Sequence, residues 1–282
     1  MIASMVLATV LSSGEQLLQR PEGQVAYEVL GTQGPWVVCV PGMGDVRAQY
    51  RFLGQDLVAA GFHVVLMDLR GMGGSTAGFQ SYSASAVGSD VVALMDALHM
   101  EQATIIGNSM AAAAGVWAAA EQPARVDSLV VIGPFARDMP TPLYLRALMK
   151  VLFNPPWGRA AWMKYYSTLY PTRTPADFSA YTSALSESLS KPGHMDALRS
   201  MLSSSKADCE ARIPAVTART LVIMGEKDPD FPNPRAEADW VISVLHGQLQ
   251  MIPGAGHYPH AEMPEPTSKA IIAFLKDAQH GA

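Results

Sequence analysis

With 282 residues, 49 % hydrophobic and 16 % charged, the chain can bury a large core, which excludes an intrinsically disordered protein. Its net charge of −5 and its scattered Lys and Arg residues give no electrostatic footprint for nucleic acid. One large α/β domain carrying an insertion fits this length.

Residues 1–11 are mildly apolar, have no Lys or Arg ahead of them and are too few to span a bilayer. Cys39 and Cys209 make no disulfide framework, so the chain reads as a cytoplasmic protein with no membrane partner. Ser12-Ser13-Gly14-Glu15 leads into a hairpin formed by residues 15–20, a turn at Pro21-Glu22-Gly23 and residues 24–30. Apolar runs follow at 36–40, 63–69, 103–106, 128–132 and 220–224, with a shorter one at 249–252. Their near-continuous Val, Ile and Leu content predicts strands of a mostly parallel sheet covered on both faces. Cys39 falls inside the first of these runs, where a thiol serves as a small hydrophobe.

Helical spacing of apolar residues marks 47–60, 83–98, 110–121, 235–245 and 264–278. From about 135 to 214 the alternation stops. That stretch has helical patterns at 143–153, 158–169, 175–189 and 194–203, punctuated by Pro155-Pro156 and Pro171. The expected organisation is a core made of 1–134 and 215–282, interrupted by a helical cap at 135–214.

At Ile105-Ile106-Gly107-Asn108-Ser109-Met110-Ala111 a strand ends, a turn presents a serine and an Ala-rich helix begins. This is the setting of a nucleophile elbow, in which a sharp turn lifts the hydroxyl into a cleft. The competing reading is a serine that only caps the helix. Upstream, Pro41-Gly42-Met43-Gly44-Asp45 follows the Val-rich strand. The backbone N–H groups of Met43 and Met110 are the candidate oxyanion hole, because fixed donors suit a charged tetrahedral oxygen. An ordinary strand-to-helix turn is the alternative there. Asp45 reads as a cap for the helix near residue 47.

Asp228 follows the strand at 220–224, and His257 follows Gly254-Ala255-Gly256 near the end of the chain. In the triad reading His257 takes the Ser109 proton and Asp228 fixes the tautomer of the imidazole. Glu226 and Asp230 compete locally for the acid role, and His260 is the weaker histidine. No CxxC, HExxH or histidine spacing suits a metal.

Four pieces in this order resemble the α/β-hydrolase fold family in its serine-nucleophile, capped form. These are the loop Asp68-Leu69-Arg70-Gly71-Met72-Gly73-Gly74-Ser75, the Ser109 elbow, the acid loop Gly225-Glu226-Lys227-Asp228, and Gly256-His257 with Glu262 and Pro264-Glu265. The resemblance implies an eight-stranded, mostly parallel sheet, a cap after the sixth strand and no cofactor. Ala111 stands where the family motif ends in glycine, and Pro41 where many members have histidine.

Trp157, Trp162 and Tyr166 are the candidate substrate-binding residues in the aromatic-rich insertion. The expected activity is hydrolysis of a carboxylic ester or lactone of a small hydrophobic substrate through an acyl-enzyme. A thioesterase or C–C bond hydrolase with the same triad is the alternative, as is a ligand-binding receptor of the same fold. Epoxide hydrolases and haloalkane dehalogenases of this fold need Asp where Ser109 stands.

Overall fold

The computed structural model describes residues 14–140 and 142–280; the reading of residues 1–11 lies outside the described residues. The strands are β1 Gln16–Arg20, β2 Gly23–Leu30, β3 Trp36–Val40, β4 His63–Met67, β5 Ala103–Asn108, β6 Val126–Ile132, β7 Arg219–Gly225 and β8 Gln248–Ile252. They form one eight-stranded sheet in the order β1-β2-β4-β3-β5-β6-β7-β8. The hairpin β1–β2 and the β2–β4 pair are antiparallel, and the remaining pairs are parallel.

The helices are α1 Arg51–Ala59, α2 Ala84–Ala97, α3 Met110–Glu121, α4 Leu143–Leu152, α5 Gly158–Thr168, α6 Phe178–Ser190, α7 His194–Ser203, α8 Ala207–Glu210, α9 Pro234–Leu245, α10 Pro259–Glu262 and α11 Pro264–His280. Ser83 caps α2 by accepting the Ala86 N–H, and Asn233 caps α9 by accepting that of Ala236. Between β6 and β7 the described residues form only α4–α8 and a short 3₁₀ turn at Ile213–Ala215.

Successive side chains of a strand point to opposite faces, so each central strand feeds two cores. Val38, Val65, Ile105, Val131 and Val222 pack with Val91, Leu94 and Ala112 on one side. Val37, Cys39, Val64, Ile106 and Ile223 pack with Leu53, Leu57, Ile271 and Phe274 on the other. This double burial is the reason the strands read as continuous apolar runs.

Some boundaries differ from expectation. The segment predicted as a helix from 47 begins as a 3₁₀ turn, Arg47–Tyr50, before α1. The β5 strand continues to Asn108, directly below the elbow. The loop after β4 is tied into the scaffold: Asp68 accepts the N–H groups of Arg47 and Gly74, while Arg70 makes two bonds to Asp90. Ser75 Oγ accepts the Ala26 N–H at 2.9 Å. Among the described residues no helix is long and apolar enough to cross a membrane.

Candidate active site

The turn from β5 into α3 holds Ser109 at φ 57° and ψ −123°, in a region that residues with a side chain rarely occupy. Strain of this kind persists only where the surroundings fix it. Ser109 N–H donates to Ile132 O at 2.9 Å, and Ser109 O accepts from Phe135 N–H. Gly107 is the position that makes the turn possible, because a Cβ there would sit 2.3 Å from Ala111 O. The serine-bearing turn and the helix after it can therefore close only over a glycine.

Asn108, which was not singled out from the sequence, ties this turn to the histidine loop. Its Nδ2 donates to Ile132 O at 3.0 Å and to His257 O at 3.2 Å. A polar residue ending an otherwise apolar buried strand was the available signal, since buried polar groups need partners.

The Pro41–Asp45 loop runs against the elbow. A Cβ on Gly42 would lie 3.0 Å from Ser109 Cβ, so glycine permits this approach. Met43 is half-buried on this loop, and Met110 is fully buried in the first turn of α3. Gly44, at φ +67°, abuts Trp162, whose Cζ2 would be 2.5 Å from an added Cβ.

Asp45 does not cap the turn that follows. The Arg47 N–H that a cap would take is held by Asp68. Asp45 is instead buried under the inserted helices, accepting from Val46 N–H at 2.8 Å, from Tyr166 OH at 2.9 Å and from Tyr181 OH. Burial pushes its carboxyl up to about 6, against the pull of these donors.

Asp228 and His257 meet: Oδ2 lies 2.8 Å from Nδ1, with both side chains buried. Gly133 leaves room for the pair, since a Cβ there would be 3.1 Å from each. The His257 loop is strapped from two sides. His257 N–H donates to Leu169 O at 3.0 Å. Glu262, buried in α10, accepts the Gly256 N–H with one oxygen and the Thr172 and Arg173 N–H groups with the other.

Burial alone would lower the His257 pKa, but Asp228 and Asp230 outweigh it and raise it to about 9. Of the competing acids, Glu226 is exposed. Asp230 reaches the other ring nitrogen, its Oδ2 lying 3.6 Å from His257 Nε2. Among the described residues no hydrogen bond joins Ser109 Oγ to the imidazole. His260 is separate: it stacks on Tyr50 with ring centroids 4.7 Å apart, and among the described residues neither ring nitrogen has a hydrogen-bond partner. Burial lowers its pKa to about 3, which keeps it neutral.

The aromatic candidates divide. Trp162 and Tyr166 are buried against Gly44 and Asp45. Trp157 is 51 % exposed, and its Nε1 donates to Val151 O; its ring is spent on the outside of the insertion rather than on the loop beside Ser109. Three rings missed in the sequence surround His257 instead. Phe135 and Tyr258 meet it edge-on with centroids 6.0 and 5.2 Å away, and Phe231 stacks on Phe135 at 4.6 Å. Their signal was weak, since each lies in a loop whose path the sequence does not specify.

Asp228, Asp230 and His257 have donor atoms within 4.8 Å of one another. Asp228 pairs with His257 Nδ1, and Tyr165 donates to Asp230. The assembly is a buried aspartate–histidine pair, with a second aspartate, beside a strained serine.

Among known proteins, the chain is 26 % identical over 267 residues to a 2-hydroxy-6-oxononadienedioate/2-hydroxy-6-oxononatrienedioate hydrolase of Pseudomonas putida, covering 90 % of this chain and 92 % of that one. It is 25 % identical over 218 residues to a 3-oxoadipate enol-lactonase of Acinetobacter baylyi, covering 76 % and 79 %. A thermophilic esterase from Thermogutta terrifontis superposes with a TM-score of 0.77 at 22 % identity, over 94 % of this chain and 99 % of the other, a likeness of fold. The model of the alpha/beta hydrolase fold matches residues 35–264, and the chain belongs to that family.

Proposed function

We propose that the protein hydrolyses a carboxylic ester or lactone of a small hydrophobic substrate through an acyl-enzyme on Ser109. His257 takes the Ser109 proton as Oγ attacks the carbonyl, and the N–H groups of Met43 and Met110 hold the developing oxyanion. The imidazolium then gives its proton to the leaving oxygen. Water, deprotonated by the same ring, releases the acid. Asp228 keeps the proton of the neutral ring on Nδ1 and stabilises the charged form.

The observation that carries this reading is the 2.8 Å Asp228–His257 pair, tied through Asn108 to a serine at positive φ. Residues 135–214 act in it as a cap. Trp162 and Tyr166 contribute the wall over the oxyanion loop, with Phe135 and Phe231 beside His257, a largely apolar lining suited to an uncharged acyl group.

A fluorophosphonate probe tests the nucleophile. It should label the protein at Ser109 and fail to label Ser109→Ala; labelling elsewhere, or none, refutes the assignment. A panel of esters and lactones tests the substrate class, and turnover restricted to short charged acyl groups would reject it. A second reading is a C–C bond hydrolase using the same three residues. It draws support from the Gly107-Asn108-Ser109-Met110 elbow and from the likeness to a protein named as a dienedioate hydrolase. Faster cleavage of a vinylogous diketone than of any ester would favour it.

A further inference from the structure

The turn Asp228-Pro229-Asp230-Phe231 brings a second carboxylate to the same imidazole. Asp230 N–H donates to Asp228 Oδ1 at 3.0 Å, a local Asx bond that folds the chain back on itself. Asp230 Oδ2 consequently lies 3.6 Å from His257 Nε2. Its Oδ1 accepts from Tyr165 OH, reaching in from α5. The carboxylate is therefore fixed from two directions, and its side chain is only 13 % exposed. Nε2 is the nitrogen left once Asp228 has taken Nδ1, and it is the one that must receive the Ser109 proton under the proposed function.

We propose that Asp230 is a positioning residue acting through His257: its carboxylate favours the protonated ring and competes with Ser109 for Nε2, and so governs the reactivity of the serine. This rests on Ser109 being the nucleophile. A carboxylate this close in a water-poor site favours the charged imidazole strongly. The other groups around the ring do not replace it. Asp228 is engaged at the opposite nitrogen. Asp45, from the loop after β3, is committed to Tyr166, Tyr181 and Val46. Arg51, from α1, is paired with Asp177. His260 of α10 is held neutral by burial, and Tyr258 offers only its ring edge. The rise in the His257 pKa, with both aspartates among its causes, agrees with this placement. The geometry also shows why Asp230 cannot stand in for Asp228: it serves the wrong nitrogen.

Asp230→Asn removes the charge and keeps the shape. Two measurements read the result: an NMR titration of His257 in a Ser109→Ala background, and the rate at which a fluorophosphonate labels Ser109 as a function of pH. The titration midpoint should fall by at least about one unit, and labelling near neutral pH should rise about tenfold. Asp230→Ser, smaller and also neutral, should move both in the same direction if the Asn protein folds poorly. An unmoved midpoint overturns the proposal, as does a lowered midpoint with an unchanged pH profile of labelling. If Ser109 is labelled in no protein at any pH while the midpoint still falls, the serine reading itself is refuted, and the catalytic part of this inference with it.

Discussion

Ser109 occupies a backbone conformation that a serine adopts only under compulsion, and the residues that compel it lie on both sides. Gly107 below it admits α3, and Asn108 beside it spends both amide hydrogens on the carbonyls of Ile132 and His257. Asn108→Ala takes the Asn108 donor from the buried His257 carbonyl and leaves Ile132 O with the Ser109 N–H. It should lower unfolding free energy by about 2 kcal/mol in urea titrations. It should also slow fluorophosphonate labelling of Ser109, because the His257 loop loses its tie to the elbow. A stability loss with unchanged labelling would show that the tie is purely structural.

The proposed choice between two acids is tested at the same scale. Since Asp230 faces Nε2 and Asp228 faces Nδ1, Asp228→Asn should have no substitute. Ester turnover should drop by about 10³-fold or more, as expected for a histidine held in the wrong tautomer. Near wild-type kcat in that variant would contradict the assignment. The sequence offered the three residues of the proposed triad and their order. It did not carry which nitrogen each carboxylate reaches, because that depends on an Asx turn only two residues long.

At the scale of elements, the central strands β3 to β7 were the most legible part, because burial on both faces leaves a signature rich in Val, Ile and Leu. Two helices were legible too: α3, an Ala-rich run buried on nearly all sides, and α7 span the residues expected of them. Elements fixed by distant polar partners were not. The start of α1 is shaped by Asp68 holding the Arg47 N–H, and α10 is a single turn whose Glu262 reaches three backbone N–H groups.

Glu262 joins the loop between α5 and α6 to the histidine loop, and a buried carboxylate accepting several N–H bonds is hard to replace. Glu262→Gln turns an amide NH₂ toward at least one of those donors. It should cost about 1–3 kcal/mol of stability, with kcat falling further than the unfolded fraction explains. Unaltered thermal unfolding in Glu262→Gln would show that the strap contributes nothing.

Across the whole molecule, two buried histidines give stability opposite dependences on pH. The His257 pKa is raised from 6.5 to about 9 in the folded state, so its contribution is complete below about pH 6.5 and is lost as pH rises through about 9. His260 is lowered from 6.5 to about 3. Its contribution is therefore complete above about pH 6.5 and is lost as pH falls toward about 3. Asp45, raised from 3.8 to about 6, has the same sign as His257 and opposes His260 over part of the acid range, as do Glu28, Asp68 and Asp230, whose carboxyls burial also raises. The two histidine slopes meet near pH 6.5; the alkaline side should fall by on the order of a few kcal/mol, and the acid side, where the buried carboxyls offset His260, should be the shallower. Urea titrations at stepped pH check this. His257→Gln should flatten the alkaline limb alone. His260→Phe, which retains the stack on Tyr50, should flatten the acid limb alone. An acid limb that survives His260→Phe would mean that the buried neutral ring is not what acid attacks first.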